Sequence, residues 1–512
     1  MHLSIMLWLP LAFGVLGLLA PRWAGRAAVL GTLLTLAYAI TYVVDFDAAE
    51  GALQYVTDET WIAELGISYK LGIDGLNLFL VLLAAILWFA STLWALRQEW
   101  ERPGLFYFHM ALAQTSVLGA LLAQDLALFV VFFDLMLVPF FFLTGQWGGA
   151  DRVRATTTLV IYTLVGSLLM LTAAIATGVL TAQRTGDELT FDLEALAAAP
   201  LAEGTQAWIF LFFAAAFLVK MPAFPLHGWM PDGYRNMPIP VLAVFSGVLS
   251  KVAAYGFLRV CLPVFPDASE QFQTLLLLIA LASILYGSAM AFTTTQTRLI
   301  LGYSSVAQLG FITLGIFALN ERGAQGAVLQ AFNHGLVVAP AFFIVALVAA
   351  RAGGSEDLRD MGGIGMRAPL LATLFLIVAF ATLAMPGSSN FAGEFLILLG
   401  VFDTKVVIAI VAFSGVVLAS VYALRLFIGA MHNRAGPQVL SAEIATRDAL
   451  VLVPLVLAIV ALALYPQLAL TRSEETVGEK VRPAAVIAGQ APAPAPLGTG
   501  YAPLPPPEAP GP

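Results

Sequence analysis

The chain has 512 residues, 60% of them hydrophobic and only 11% charged, against roughly 25% charged residues in an average soluble domain, and this composition points to a polytopic membrane protein. The net charge of −8 comes with basic residues that are scattered rather than gathered on one stripe, which sets nucleic acid aside as a partner and leaves membrane lipid. One cysteine, Cys261, excludes a disulfide framework and any iron–sulfur cluster held by about four thiolates of this chain, so redox cofactors would belong to other polypeptides.

A helix needs about 20 apolar residues to cross the hydrocarbon core, and by that rule the sequence predicts an all-α fold of about fourteen transmembrane helices. They lie near 3–20, 27–46, 72–96, 105–123, 125–147, 155–181, 206–226, 239–262, 271–292, 297–319, 324–350, 368–401 (interrupted), 405–430 and 449–470. The first run has no basic segment before it and no small-residue cleavage pattern, so it reads as a retained helix. Basic residues recur in every second connection: Arg22 and Arg26, Arg97 and Arg102, Arg152 and Arg154, Arg235, Arg298, then Arg351, Arg359 and Arg367, then Arg434 and Arg447. Those connections are expected on the cytoplasmic side, which puts both chain termini on the outer face. After about Val481 the sequence becomes rich in Pro and Ala, and 483–512 is predicted to be a disordered tail.

Residues 1–104 carry the first three spans, 105–262 a block of five, 271–430 a second block of five, and 449–470 the last span. The fourth helix of each block is interrupted, by "VKMPAFPLHG" with Pro222 and Pro225 in the first and by "LAMPGSSNFAGEF" with Pro386 and Gly387 in the second. An odd number of spans per block inverts one block relative to the other. Interrupted segments at matching positions of inverted repeats point to a transport site, because broken backbone at membrane depth survives only inside protein or beside a water-filled cavity.

Four ionisable residues stand out within the apolar runs: Asp134, Lys220, Lys251 and Glu394. Such groups cost about 2.5–3.5 kcal/mol each at the helix centre and commonly mark ion paths; the competing reading is that they snorkel or form static ion pairs. Lys251 lies about eleven residues from either end of its span, roughly 16 Å at 1.5 Å per residue, beyond the reach of its stem. A buried lysine is disfavoured as a cation by burial and favoured by a neighbouring carboxylate, so a moving partner can release its proton. His334, inside the eleventh span, can pass a proton at neutral pH or simply pack. His227, beside the first interruption, can help proton entry or cap the break. Tyr303, Ser304, Ser305 and Gln308 in the tenth span can hold water or serve only as interhelical hydrogen bonds. These ten residues are the candidate relay and its support, with no metal site among them.

The motifs "FDLMLVPFFFLTGQWGG", "VKMPAFPLHGWMPD", "SGVLSKVAAYGFLRV", "YSSVAQLGF" and "MPGSSNFAGEFLILLG" resemble, in order and spacing, the antiporter-like membrane subunits of respiratory complex I, NADH-quinone oxidoreductase. The resemblance covers the third to thirteenth spans. Within that family the interrupted twelfth helix carries glutamate in the M branch and lysine in the L and N branches, so Glu394 implies the M branch. The resemblance implies a bacterial cytoplasmic membrane, proton translocation driven by quinone reduction elsewhere in an enzyme complex, and L and N paralogues as partners. It also implies no cofactor in this chain, with FMN, iron–sulfur clusters and quinone in partner subunits. Asp134 then stands where the family has a glutamate, Lys220, Lys251 and Glu394 match its charged row, and Gln308 replaces a histidine. "WMPDGYRNMPIPV" also departs from the family's cytoplasmic mouth. A subunit of a multi-protein Na+/H+ antiporter, a membrane subunit of a proton-pumping hydrogenase and a purely structural scaffold are the competing readings, of which Glu394 disfavours the first and the buried charges the last.

Overall fold

The computed structural model describes residues 2–49 and 51–492; the final twenty positions of the predicted tail lie outside the described residues. Twelve helices among them are long and apolar enough to cross a membrane, and two shorter apolar helices, Leu3–Leu19 and Pro369–Thr382, occupy the first and twelfth predicted stretches. The helix containing Lys251, Ile239–Val264, is wholly enclosed by its neighbours, as is Thr297–Ile316, whereas Val406–Met431 leaves much of its surface free. Helices that are apolar all round have no amphipathic stripe to mark an inner face. Their placement is set by polar residues and by close-packing glycines.

The chain is not helical throughout. A hairpin of two antiparallel strands, β1 (Gln54–Ile62) and β2 (Ile67–Ile73), precedes the third membrane helix, which therefore begins at Leu78 and not near 72. The hairpin is fastened to other connections. Lys70 Nζ meets Asp192 at 2.6 Å, Ser68 N–H donates to Asp125 Oδ2, and Phe191 N–H donates to the Gly66 carbonyl. The N-terminal helix touches the same face through Tyr69 and Ser4.

Where the sequence predicts an unfolded tail from 483, a helix Gln467–Ile487 continues past the last membrane helix and carries Pro483 within it. It buries Ser473, Thr476, Val477, Val481 and Ala484 against the body, and Thr476 Oγ1 accepts from Gly75 N–H. Both ends of the described chain thus meet the hairpin face.

The basic connections gather at the opposite end. Arg97 reaches Asp448 at 2.9 Å, Arg298 reaches Glu356 at 2.6 Å and donates to the Met237 carbonyl, and Arg351 donates to the carbonyls of Ala442 and Glu443. The alternation read from charge therefore corresponds to two separate faces. Small residues set a close helix crossing: a Cβ on Gly326 would meet the Gly393 carbonyl oxygen at 2.9 Å, and one on Gly393 would meet the Gln330 Cα at 3.0 Å. Glycine at both positions lets the two backbones approach to within contact.

Candidate functional site

The first interruption begins at a lysine. The helix Glu203–Lys220 stops at Lys220 itself, six residues short of the predicted end, because Pro222 has no N–H to give to the Leu218 carbonyl. Ala223 N–H takes that carbonyl instead at 3.0 Å, and the Trp229 indole takes the Val219 carbonyl at 3.0 Å. Two of the carbonyls freed at the broken end are thus taken up within the break. Residues 221–229 form turns, with a cis bond before Pro225, and a short helix Met230–Asn236 follows.

Lys220 is 6% exposed, and its ammonium lies 4.9 Å from the centre of the Phe133 ring. Asp134 is its electrostatic neighbour but makes no ion pair within 4.0 Å; the carboxylate also neighbours Ser167, and its Oδ1 has no hydrogen-bond partner. A second break lies here. The fifth membrane helix divides into Leu126–Leu135 and Leu137–Trp147, since Pro139 withholds its N–H from the Leu135 carbonyl and its ring crowds that oxygen. Asp134 and Lys220 are thus each within one residue of a helix end.

Lys251 is fully buried. It follows a π-helical segment, Phe245–Leu249, and a second such segment, Phe257–Cys261, comes after it on the same helix. Its Nζ donates to the Ser246 carbonyl at 2.6 Å, a backbone acceptor five residues back. His334 on the helix Glu321–Arg351 is its electrostatic neighbour, and the His334 Nδ1 has no hydrogen-bond partner.

Glu394 is 2% exposed on Ser389–Thr404, the helix that follows the second interruption. That interruption closes with Ala384 at φ +51° and Met385 N–H donating to the Phe380 carbonyl, and Gly387 sits at φ +91°, where a side chain would be strained. Gln308 Nε2 donates to Glu394 Oε1 at 2.7 Å, and Gln330 Nε2 donates to Gln308 Oε1 at 2.7 Å and lies 3.4 Å from the same carboxylate oxygen. Glu394 Oε2 has no partner. The Tyr422 hydroxyl, which accepts from Ser304 at 3.1 Å, completes this cluster.

The predicted residues therefore fall into three groups, Asp134 with Lys220, Lys251 with His334, and Glu394 with Gln308 and Ser304. The others lie apart. Ser305 donates to the Leu301 carbonyl of its own helix. His227 packs among Phe224, Tyr286 and Tyr303, with the Tyr286 ring centre 4.7 Å away. Gln330, Asn333, Asn390 and Tyr422 are not singled out by the sequence reading. The signal for two of them is helical spacing, since Gln330 and His334, and Asn390 and Glu394, are four apart and share a helix face. Also unforeseen is a buried ion pair at the hairpin end, where both Asp74 oxygens accept from Arg259 Nη2 at 2.5 and 2.6 Å and Arg259 Nε donates to the Tyr255 hydroxyl. Among the described residues no group of three or more His, Cys, Asp or Glu gathers to hold a metal.

Residues 123–420, which contain all three groups, match the family described as NADH:quinone oxidoreductase/Mrp antiporter, TM. The chain belongs to this family. Within the family it is 36% identical over 476 residues to NADH-quinone oxidoreductase subunit M of Escherichia coli strain K12, covering 90% of this chain and 92% of that one. It is 34% identical over 484 residues to the subunit of the same name from Rhodobacter capsulatus, covering 91% and 93%. Its fold superposes on a chain of respiratory complex I from Thermus thermophilus with a TM-score of 0.85 and 31% identity, covering 94% of this chain and all of the other. A chain of the Mrp complex from Dietzia sp. shares the fold with a TM-score of 0.81 at 21% identity.

Proposed function

We propose that this chain is the M-type proton-translocating membrane subunit of a bacterial NADH-quinone oxidoreductase. NADH oxidation and quinone reduction take place in partner subunits that carry FMN, iron–sulfur clusters and quinone, and the neighbours in the membrane are the L and N paralogues. The membrane is the cytoplasmic one, the face with the basic connections is cytoplasmic, and the hairpin face, which both ends of the described chain meet, is outer. The blocks 105–262 and 271–430 act as inverted halves, each with its own broken helix.

The observation that carries this reading is the company kept by the charged row. Lys220 faces an aromatic ring, Lys251 a backbone carbonyl and Glu394 two amides, so none is locked to a counter-charge within 4.0 Å. A proton enters from the basic face, passes Lys220 under the control of Asp134, moves to Lys251 and His334, and reaches Glu394. At an effective dielectric of about 20, a charge pair 5 Å apart is worth roughly 3 kcal/mol. Moving one charge against about 180 mV costs roughly 4 kcal/mol. Making and breaking one Asp134–Lys220 pair is therefore of the right size to supply much of the work of one proton.

Lys251 gives the test. Lys251→Met keeps length and apolar packing while removing the charge, and the complex is expected to assemble yet lose most proton pumping. Lys251→Arg is expected to fail as well, because a guanidinium cannot release its proton. Complex content on native gels, read beside proton uptake in inverted vesicles, separates a relay from a strut; an active Lys251→Arg complex would sink the relay.

A further inference from the structure

The face with the basic connections holds a cavity of about 440 Å³ whose lining includes none of Asp134, Lys220, Lys251, His334 and Glu394. Its walls come from six separate stretches of chain, and they carry four arginines, Arg97, Arg235, Arg298 and Arg447, and no acid. Scattering of basic residues over one face follows from the membrane-orientation bias. Convergence of four guanidinium groups on a single concavity does not.

The acids that could neutralise them stand behind the lining. Asp448 serves both Arg97 and Arg447, at 2.9 and 3.9 Å, and Glu356 serves Arg298. Arg235 is exposed and makes no ion pair among the described residues. Two acids against four arginines leave a positive excess. The buried Nε of Arg298 has no hydrogen-bond partner, so one donor at the wall is unspent as well. Trp94, Trp100 and Trp147 line the same space, residues that favour the depth where headgroups meet hydrocarbon. Arg97 already stacks on Trp94 at 3.9 Å, which fixes its guanidinium plane.

We propose that this cavity binds a phosphate-bearing anion, and that its source is the headgroup of an anionic phospholipid. Arginine forks match phosphate oxygens in a way that ammonium groups do not, and basic pockets between membrane helices suit lipid phosphates. The exposed side chains of Arg235 and Arg447 close over the phosphate, Arg298 contributes its free donor, and the acyl chains leave past the tryptophans. The site borders Met237–Pro240, where the Lys251 helix begins.

The test uses the intact complex with Ala350→Cys, an exposed lining position, and follows labelling of that cysteine by maleimide through peptide mass spectrometry. The complex is placed in phosphatidylcholine vesicles, in vesicles that also contain phosphatidylglycerol, and in phosphatidylcholine vesicles bathed in inorganic phosphate. Phosphatidylglycerol is expected to slow labelling several-fold, inorganic phosphate to leave it unchanged, and Arg235→Gln with Arg447→Gln to abolish the protection. Equal protection by inorganic phosphate would make the ligand a soluble anion and overturn the lipid assignment. No protection by either anion, or protection that survives the double substitution, would overturn the site. Slow labelling under every condition would give the cavity to a neighbouring subunit and overturn it too. Gln98→Cys, on the same wall, serves where Ala350→Cys impairs assembly.

Discussion

Two sets of buried charges in this chain are treated in opposite ways. Asp74 and Arg259 form a closed unit, with the guanidinium on both carboxylate oxygens and on Tyr255, and the carboxylate also accepting from Leu76 N–H at the start of the third membrane helix. Lys251 and Glu394, equally buried, have only neutral partners, and around them the buried atoms Ser250 Oγ, His334 Nδ1, Asn333 Oδ1, both Asn390 amide atoms and Glu394 Oε2 have no partner at all. A charge that holds two helices together is given its opposite. One that must change state is given groups that tolerate either state. Orphaned polar atoms are costly in a packed interior, so a cluster of them marks a site and not careless packing.

The largest effect expected from breaking this contrast lies in the closed unit. Asp74→Ala leaves Arg259 buried without its counter-ion, which costs about 3–5 kcal/mol; assembled complex on native gels is expected to fall sharply, with pumping per remaining complex little changed. Asp134→Ala is expected to do the reverse, since it tunes Lys220 without holding the fold. A unit charge at about 5 Å contributes roughly 3 kcal/mol at a dielectric of about 20. Half of that is already more than tenfold in rate. Coupled quinone reduction should therefore drop by about tenfold or more at normal complex content, and Asp134→Glu should be tolerated; a severe loss with Glu would show a pocket closed around aspartate.

Gln330→Met sharpens the comparison at Glu394. It keeps the shape that packs on Gly393 and deletes the donor to Gln308 and to the carboxylate, about 1–3 kcal/mol for an unsatisfied buried group. A several-fold loss of pumping with intact assembly is expected, and unchanged pumping would make Gln330 a packing residue. The smallest effect belongs to the loop on the basic face, where hydrogen bonds from Arg359 hold the Asp357 carboxyl down to about 2. A depressed carboxyl contributes stability that is fully present above about pH 4 and is lost as the pH falls toward 2. Asp357→Asn should therefore lower thermal stability slightly at neutral pH, with the difference from the parent shrinking as the pH falls from about 4 through 2.

Much of this was legible in the sequence because membrane burial leaves strong marks. Long apolar runs give the helices, and a charge inside such a run is conspicuous, which is how Asp134, Lys220, Lys251 and Glu394 stand out. Other features leave weak marks or none. Asp74 falls at the start of one predicted span and Arg259 near the end of another, where charges are cheap and attract no notice, and only the fold brings them together. The π-helical segments around Lys251 are a matter of backbone hydrogen bonding that no residue type announces. Strands β1 and β2 lie in a stretch whose acidity was the visible signal. The helix Gln467–Ile487 is too polar to read as a span, and Pro483 argues against a helix until its buried face is seen. The break beside Asp134 did have a marker in Pro139, hidden by its likeness to the prolines that membrane helices tolerate.

The bond from Gly75 to Thr476 joins residues 401 positions apart. At about 5–20 residues per second, a ribosome needs roughly 20–80 s to make that length of chain. For all that time the turn that carries Asp74 is in the membrane without its clasp, and the Arg259 that will neutralise it arrives before the helix that covers both. A chain cut short anywhere before Thr476 would lack that clasp and leave the surface around Gly75 open.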